Sequence, residues 1–313
     1  MNSSLQAPYL TGPADENKLV SFTQNERSEI VMKWWTDISA VVATRKLLGR
    51  RSQQQDHVVV VPFANERSED GILAVATDGH SYDGGYAAEL SATRIMEGVL
   101  EACDRSDETF RQSFLGAHDL LLGKHVDGGT TATCVTVHGD KIVAAWVGNS
   151  QARIITTGGD LKTLTIPHEY GVHKAETVRL DALGAVIQGP DEFRFGARDG
   201  HLEIERPKRG HVVVKETALE VTRALGDPEF DPIVLHEPEI VSCEIAADDR
   251  WLIVATDGLW HAVQRTHKRH LMGRLLAVCS DADSAAAALE KLLGTWTLAD
   301  NTTFAIVDLR CVL

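Results

Sequence analysis

Three acidic motifs lie far apart in the chain, each at or near a strand-like apolar run. Asp78-Gly79-His80 follows Ile72 to Thr77, Asp257-Gly258 follows Trp251 to Thr256, and Asp300-Asn301 shortly precedes Phe304 to Val307. A carboxylate at a strand end is held rigidly while its oxygens face out of the sheet. Several of them brought together make a site for hard divalent cations, which prefer oxygen ligands. One Asp-Gly alone is ordinarily a turn. Two that close strands in nearly the same words, Ala-Val-Ala-Thr-Asp-Gly-His and Ile-Val-Ala-Thr-Asp-Gly-Leu-Trp, point further. The glycine lets the backbone turn sharply and can offer its carbonyl as another ligand. Among 13 histidines, His80 stands out because it directly follows such a turn, within reach of a leaving group as a general acid.

Other constellations have plainer readings. Gly128 to Thr133 could cradle a phosphate with backbone N–H groups, but a tight turn followed by small residues is the stronger reading. Gly148-Asn149-Ser150 reads by itself as a hairpin turn. Thr222 to Asp227 reads as a helical start with a Gly-Asp stop, and its Arg223 as half of a buried structural ion pair.

These residues need elements to hold them. Val58 to Val61, Ile72 to Thr77, Thr131 to Val137, Ile142 to Val147, Ala152 to Ile155, Val212 to Val214, Ile240 to Ile245, Trp251 to Thr256 and Thr303 to Val307 read as strands. Several are separated by turn residues at hairpin distance, such as His138-Gly139-Asp140. Helical spacing marks Gly85 to Leu100, Asp107 to Leu122 with a C-cap near Gly123, Lys174 to Leu183 closed by Gly184, and the pair Ala262 to Val278 and Ser284 to Leu293. Strands in hairpin-like series and helices in pairs predict an α+β fold of antiparallel sheets covered by helices. Residues 1–45 read as an N-terminal extension, polar up to about Lys33 and regulatory or partly ordered; Trp34-Trp35 and Ile38 to Leu48 could form a short helix at its end or pack the extension onto the domain. Gln188 to Gly210 is polar and irregular, an excursion from the 46–313 domain.

The chain has 313 residues, 43% hydrophobic and 24% charged, with a formal net charge of -14. Such a surface disfavours nucleic acid and anionic membranes as partners. No apolar run approaches the roughly 20 residues that span a bilayer, and no N-terminal stretch resembles a signal peptide. An intracellular location, cytoplasmic or nuclear, and a monomeric state are expected. The five cysteines, Cys103, Cys134, Cys243, Cys279 and Cys311, include no C-x-x-C spacing, which argues against a disulfide framework or a structural zinc site.

Laid in order, these segments resemble the metal-dependent type 2C (PPM) protein serine/threonine phosphatases. The likeness runs from about Gly49 to Asp308. Arg51 to Asp56 resembles the opening Arg-x-x-x-(Glu or Gln)-Asp strand, and Thr77 to His80 the Phe-Asp-Gly-His turn. Gly128 to Ala132 resembles Gly-Ser/Thr-Thr-Ala, and Trp146 to Ala152 resembles Asn-Val-Gly-Asp-Ser-Arg-Ala. Leu164-Thr165-x-x-His168 with Glu176 and Arg179 resembles Leu-Thr-x-Asp-His with its following Glu-x-x-Arg. Val221 to Asp227, Thr256 to His261 and Asp300 to Thr303 resemble Val-Ser/Thr-Arg-Ala-Leu/Phe-Gly-Asp, Ser-Asp-Gly-Leu-Trp-Asp and Asp-Asn-x-Thr.

The resemblance implies an α-β-β-α sandwich and a pair of Mn2+ or Mg2+ ions that activate water to attack phosphoserine or phosphothreonine in phosphoprotein substrates. Carried over, Asp78 would bridge the ions with the Gly79 carbonyl on one of them. Asp257 and Asp300 would hold the other, and Asp56 would act from behind or through water. Arg51 would clamp the phosphate, His80 would protonate the leaving oxygen, and 188–210 would be a flap beside the cleft. Gln55, Asn149 and His261 stand where the family carries acids; the last two positions help hold an additional, weaker ion. The resemblance therefore implies a retained ion pair with weakened or absent additional binding, and so reduced turnover or a shifted metal preference. It leaves two readings, an active phosphatase or a pseudophosphatase that binds a partner.

Overall fold

In the computed structural model the described residues are 41–312, apart from 65–69, 103–104, 189–193, 199–200, 206–209, 215–216 and 266–268. Nearly all of the expected N-terminal extension lies outside them. The exception is informative, because Val42 to Leu47 is a strand and not part of a helix. This β1 (Val42–Leu47) begins with the buried pair Val42-Ala43 and continues through half-buried residues, and it closes the edge of a sheet.

That sheet contains β1, β6 (Gln151–Thr156), β7 (Leu161–Thr163), β15 (Asp249–Ala255) and β16 (Thr302–Asp308), in the spatial order β1-β16-β15-β6-β7. The second sheet contains β2 (Asp56–Ala64), β3 (Asp70–His80), β4 (Gly129–His138), β5 (Lys141–Val147) and β14 (Glu239–Glu244), in the order β14-β5-β4-β3-β2. A two-residue β13 (Leu225–Gly226) adds to β4. All the pairings in both sheets are antiparallel.

The inner strands are buried on both faces, which explains their unbroken apolar wording, and the faces still alternate with period two. Val58 and Val60 join Ile154, Leu252, Val254 and Val307 in the layer between the sheets. Val59, Val61, Leu73 and Val75 turn outward onto helices α1 (Gly84–Glu101) and α2 (Asp107–Gly123) through Ile95, Met96, Phe110 and Phe114. Across the molecule Trp251, Ile253, Phe304 and Ile306 pack against α4 (Asp257–Arg265), α5 (Arg269–Ala277) and α6 (Ala282–Leu293). The result is the expected α-β-β-α sandwich.

Local signals set the boundaries of these helices. Ser106 caps α2 by accepting from the Thr109 N–H, and Asp281 with Ser284 forms a capping box at α6. The helix α3 (Lys174–Leu183) ends at Gly184 in the left-handed region. Gly123 does not cap α2; it is the last helical residue, Lys124 is the cap, and His125 takes the left-handed turn.

Three expectations are corrected. Thr222 to Asp227 is not helical: the Thr222 and Ala224 amides donate to the carbonyls of His168 and Leu235, and Leu225–Gly226 joins the sheet. Arg51 to Gln55 is not strand, which begins at Asp56. The excursion, only part of which is described, is not wholly irregular. β8 (Ile187–Gln188), β11 (His211–Val214) and β12 (Thr217–Leu219) form one small sheet, and β9 (Arg194–Arg198) and β10 (His201–Glu205) form a hairpin.

Phe304 is fully buried between its sheet and the outer helices. Phe304→Ala is expected to cost about 3–5 kcal/mol of stability. Denaturant unfolding would show this as a lower midpoint with an unchanged slope.

Candidate active site

Both sheets deliver their acids to one end of the sandwich. Asp56 opens β2 and lies directly across the ladder from Asp78 near the end of β3. Asp257 follows β15 and begins α4, and Asp300 precedes β16. The Asp56 carboxylate ties the two sheets together by accepting from the Thr256 hydroxyl at 2.7 Å. Gly79 packs against Gly84 so closely that a methyl group would sit 1.8 Å from the Gly84 carbonyl oxygen, so no larger residue fits behind Asp78. The loop carrying Arg51 is fastened by Asn301, which donates to the Leu48 carbonyl and accepts the Gln55 N–H, both at 2.9 Å. Gln55 in turn donates to the Ser81 carbonyl at 2.8 Å, a bond a carboxylate could not make.

The cluster is electrostatically tense. Burial pushes Asp56 up to about 7. Asp78 is held well above the usual carboxylate range, first by burial and then by the charges of Asp56, Asp257 and Asp300. Burial also raises Asp257, against the pull of His261. Arg51, more than half exposed, donates to Asp300 at 2.7 Å. Asp56 Oδ1 and Asp257 Oδ1 are buried and meet no hydrogen-bond donor among the described residues. Native proteins rarely bury such oxygens bare. An all-oxygen donor set with bare, buried carboxylate oxygens fits a hard divalent cation such as Mg2+ or Mn2+.

His80 faces a different partner. Its Nε2 lies 2.7 Å from Asp227 Oδ2, and the Asp227 side chain is only 2% exposed. The sequence reading missed Asp227 in this role; its Gly226-Asp227 dipeptide was the signal. It also missed Glu169, which follows the motif residue His168. The Asn149 amide donates to Glu169 at 3.2 Å and to Asp257 at 2.9 Å. Only the NH2 end of an amide can serve two carboxylates, so Asn149 acts as a neutral strut. His261 Nδ1 is 3.3 Å from Asp257, and its Nε2 faces Glu169 at 3.8 Å. Glu169, Glu220 and His261 bring ligand-type atoms within 4.8 Å of one another.

A second group, His168, His173 and Glu239, has equally close atoms, but its proton arrangement suits hydrogen bonding. His168 Nδ1 accepts the Gly148 N–H and His173 Nδ1 accepts the Glu176 N–H. In a neutral ring each Nε2 then carries the proton, and both point at Glu239. Glu239 and Glu176 continue the network to Arg223, and Glu176 also binds Arg179 and Thr222. Arg223 has the structural pairing the sequence predicts.

Comparison with known proteins shows the family and the fold. The family model described as "Protein phosphatase 2C" matches residues 49–291. A rice (Oryza sativa subsp. japonica) protein named "Protein kinase and PP2C-like domain-containing protein" is 25% identical over 284 residues, 84% of this chain and 38% of that protein. The yeast (Saccharomyces cerevisiae) "Protein phosphatase 2C homolog 1" is 27% identical over 284 residues, 83% of this chain and 89% of its own. This chain thus spans well under half the length of the rice relative. A crystal structure of a Toxoplasma gondii serine-threonine phosphatase 2C shares the fold. Its TM-score is 0.61 at 15% identity, over 85% of this chain and 94% of that one.

Burial holds the fully enclosed His168 down to about 4, well below an ordinary imidazole. A depressed histidine favours the folded state at neutral pH, and that contribution is lost as pH falls from about 6.5 through about 4, with a slope of at most about 1.4 kcal/mol per pH unit. His57 acts in the same direction. The raised Asp56 opposes them, because a carboxyl that keeps its proton longer when folded loses stabilisation as pH rises from about 4 to about 7. The single contribution is therefore read as a difference. His168→Gln, which can still accept the Gly148 N–H, is expected to lose less stability than wild type between pH 7 and pH 5 in denaturant melts.

Proposed function

Because the chain belongs to the protein phosphatase 2C family, we propose that it is a metal-dependent protein serine/threonine phosphatase acting on phosphoserine and phosphothreonine side chains. The observation that carries this reading is the cluster of Asp56, Asp78, Asp257 and Asp300. Asp56 and Asp257 each keep a buried oxygen that meets no donor among the described residues, Arg51 binds Asp300, and His80 follows Asp78 by two residues. Asp78 with the Gly79 carbonyl, and Asp257 with Asp300, would hold two Mg2+ or Mn2+ ions, with Asp56 supporting from behind. When bound, the ions supply an activated water and the positive charge that offsets the phosphate.

The chain's own residues do the rest. Arg51 binds the phosphate with its planar fork; its exposed position on the loop held by Asn301 leaves it free to swing from Asp300 to an incoming phosphate. His80 gives its proton to the departing seryl or threonyl oxygen. Buried walls around Asp56 and Asp257 keep bulk water from these acids. Asn149 and His261 favour the second reading, a catalytically silent binding module, because neither brings the negative charge of the family's acids.

An assay of phosphothreonine-peptide hydrolysis with Mn2+ or Mg2+ decides between them. Wild type is expected to release phosphate, and Asp78→Ala to fall to the level of buffer. Equal release from both proteins would leave the binding-module reading. Asn149→Asp would set a third carboxylate against Asp257 and Glu169. It is expected to melt at a lower temperature than wild type in chelator and to gain more from added Mn2+. An identical Mn2+ response in thermal melts would show that the amide does not limit ion binding.

A further inference from the structure

We propose that Asp227 is the positioning residue for His80, and that Gly129 is the opening through which it reaches. This rests on the phosphatase reading and specifies how its proton donor is held. His80 ends β3 and Gly226 ends β13, and both pair with the same residue of β4, Gly129. Asp227 follows in the left-handed region, φ 55 and ψ 54, which turns its side chain back across β4. A methyl group at Gly129 would sit 2.1 Å from Asp227 Oδ2. Only glycine at this position lets the carboxylate meet His80 at 2.7 Å. The Gly128-Gly129 pair thus serves proton transfer and not phosphate cradling.

The usual structural job of such an aspartate is not taken. Asp227 stands at the N-cap of the short 3-10 turn Pro228–Phe230, yet its side chain makes no capping bond there. Its backbone is pinned instead, since the Gly226 N–H donates to His118 Nδ1 on α2, whose ring stacks on His236 with centroids 4.0 Å apart. The carboxylate is fixed on the buried side of His80, whose own side chain is 25% exposed.

With Nε2 committed to Asp227, Nδ1 is the nitrogen that carries the transferable proton. In the reaction the water oxygen bonds to phosphorus and releases a proton to solvent, from which the ring is later reprotonated, and the phosphorus–seryl oxygen bond breaks. Its electron pair stays on the seryl oxygen, which takes the Nδ1 proton. The ring is left neutral, with its Nε2 proton still held by Asp227.

The test compares two substrates. A phosphothreonine peptide leaves as an alcohol and needs the proton, whereas p-nitrophenyl phosphate leaves as a stable phenolate and does not. Asp227→Asn is expected to lower kcat on the peptide by about 10- to 100-fold with KM little changed, part of the roughly 100- to 10,000-fold that a general acid supplies. Its kcat on the aryl phosphate is expected to change less than about threefold. In a His80→Ala background the same substitution is expected to add nothing. Equal loss on both substrates, or no loss on either, overturns the proposal while leaving the phosphatase reading intact. Wild type inactive on both substrates removes that reading and this one together. Should the variant not fold, 15N NMR of the wild-type imidazole decides. The neutral ring is expected to be the Nε2–H tautomer, and finding Nδ1–H overturns the assignment.

Discussion

Carboxylates gathered at one end of a sheet sandwich repel one another, and burial enlarges that repulsion. Asp56, Asp78 and Asp257 are all displaced upward, by burial first and by neighbouring carboxylates second. Around them the chain has arranged one fixed contact each: the Thr256 hydroxyl on Asp56, the Asn149 amide on Asp257, the Arg51 guanidinium on Asp300. None of these cancels the charge of the buried acids. They set its geometry and leave specific oxygens bare, so the cluster favours whatever small cation or proton enters it.

The scaffold behind the acids is braced by a second, better-partnered polar network. Beneath the Leu164-to-Arg179 motif, Glu176 accepts from Arg179, Arg223 and Thr222, and Glu239 collects two imidazoles and Arg223. Burying such a network is costly if a member is missing, and rigidifying when all are satisfied. Burial would raise Glu176, but its bonds to Arg179, Arg223 and Thr222 outweigh it and bring it down to about 2, far below the acids of the cluster. Two groups of acids in one small fold therefore differ in their protons because one is surrounded by donors and the other by more acids.

The sequence carried the parts that depend on local pattern. Strand runs ending in Asp-Gly, the spacing of the outer helices and the Gly184 stop all follow from side-chain period and backbone freedom. What it did not carry depends on residues distant in the chain. Thr222 to Asp227 looks helical until the carbonyls of His168 and Leu235 claim its amides. β1 is too short and polar to announce itself before β16 pairs with it. Asp227 reads as a turn residue because nothing near it in sequence shows that His80 lies across a glycine. Glu169 is invisible for the same reason: its contact with Asn149 spans two strands, β6 and β7, and the loop after them.

Asn301 gives the arrangement a temporal side. It bonds to Leu48 and Gln55 across 253 and 246 residues, and Arg51 reaches Asp300 across 249. Contacts of such sequence separation form late and slowly, after loop closure has been paid in entropy. During synthesis the Arg51 loop therefore emerges early and has no anchor until residues 300 and 301 follow. The strands β2 to β5 pair among residues 56–147, whereas the guanidinium meets the acids only once nearly the whole domain is closed, so the site's geometry depends on contacts between the two ends of the described fold.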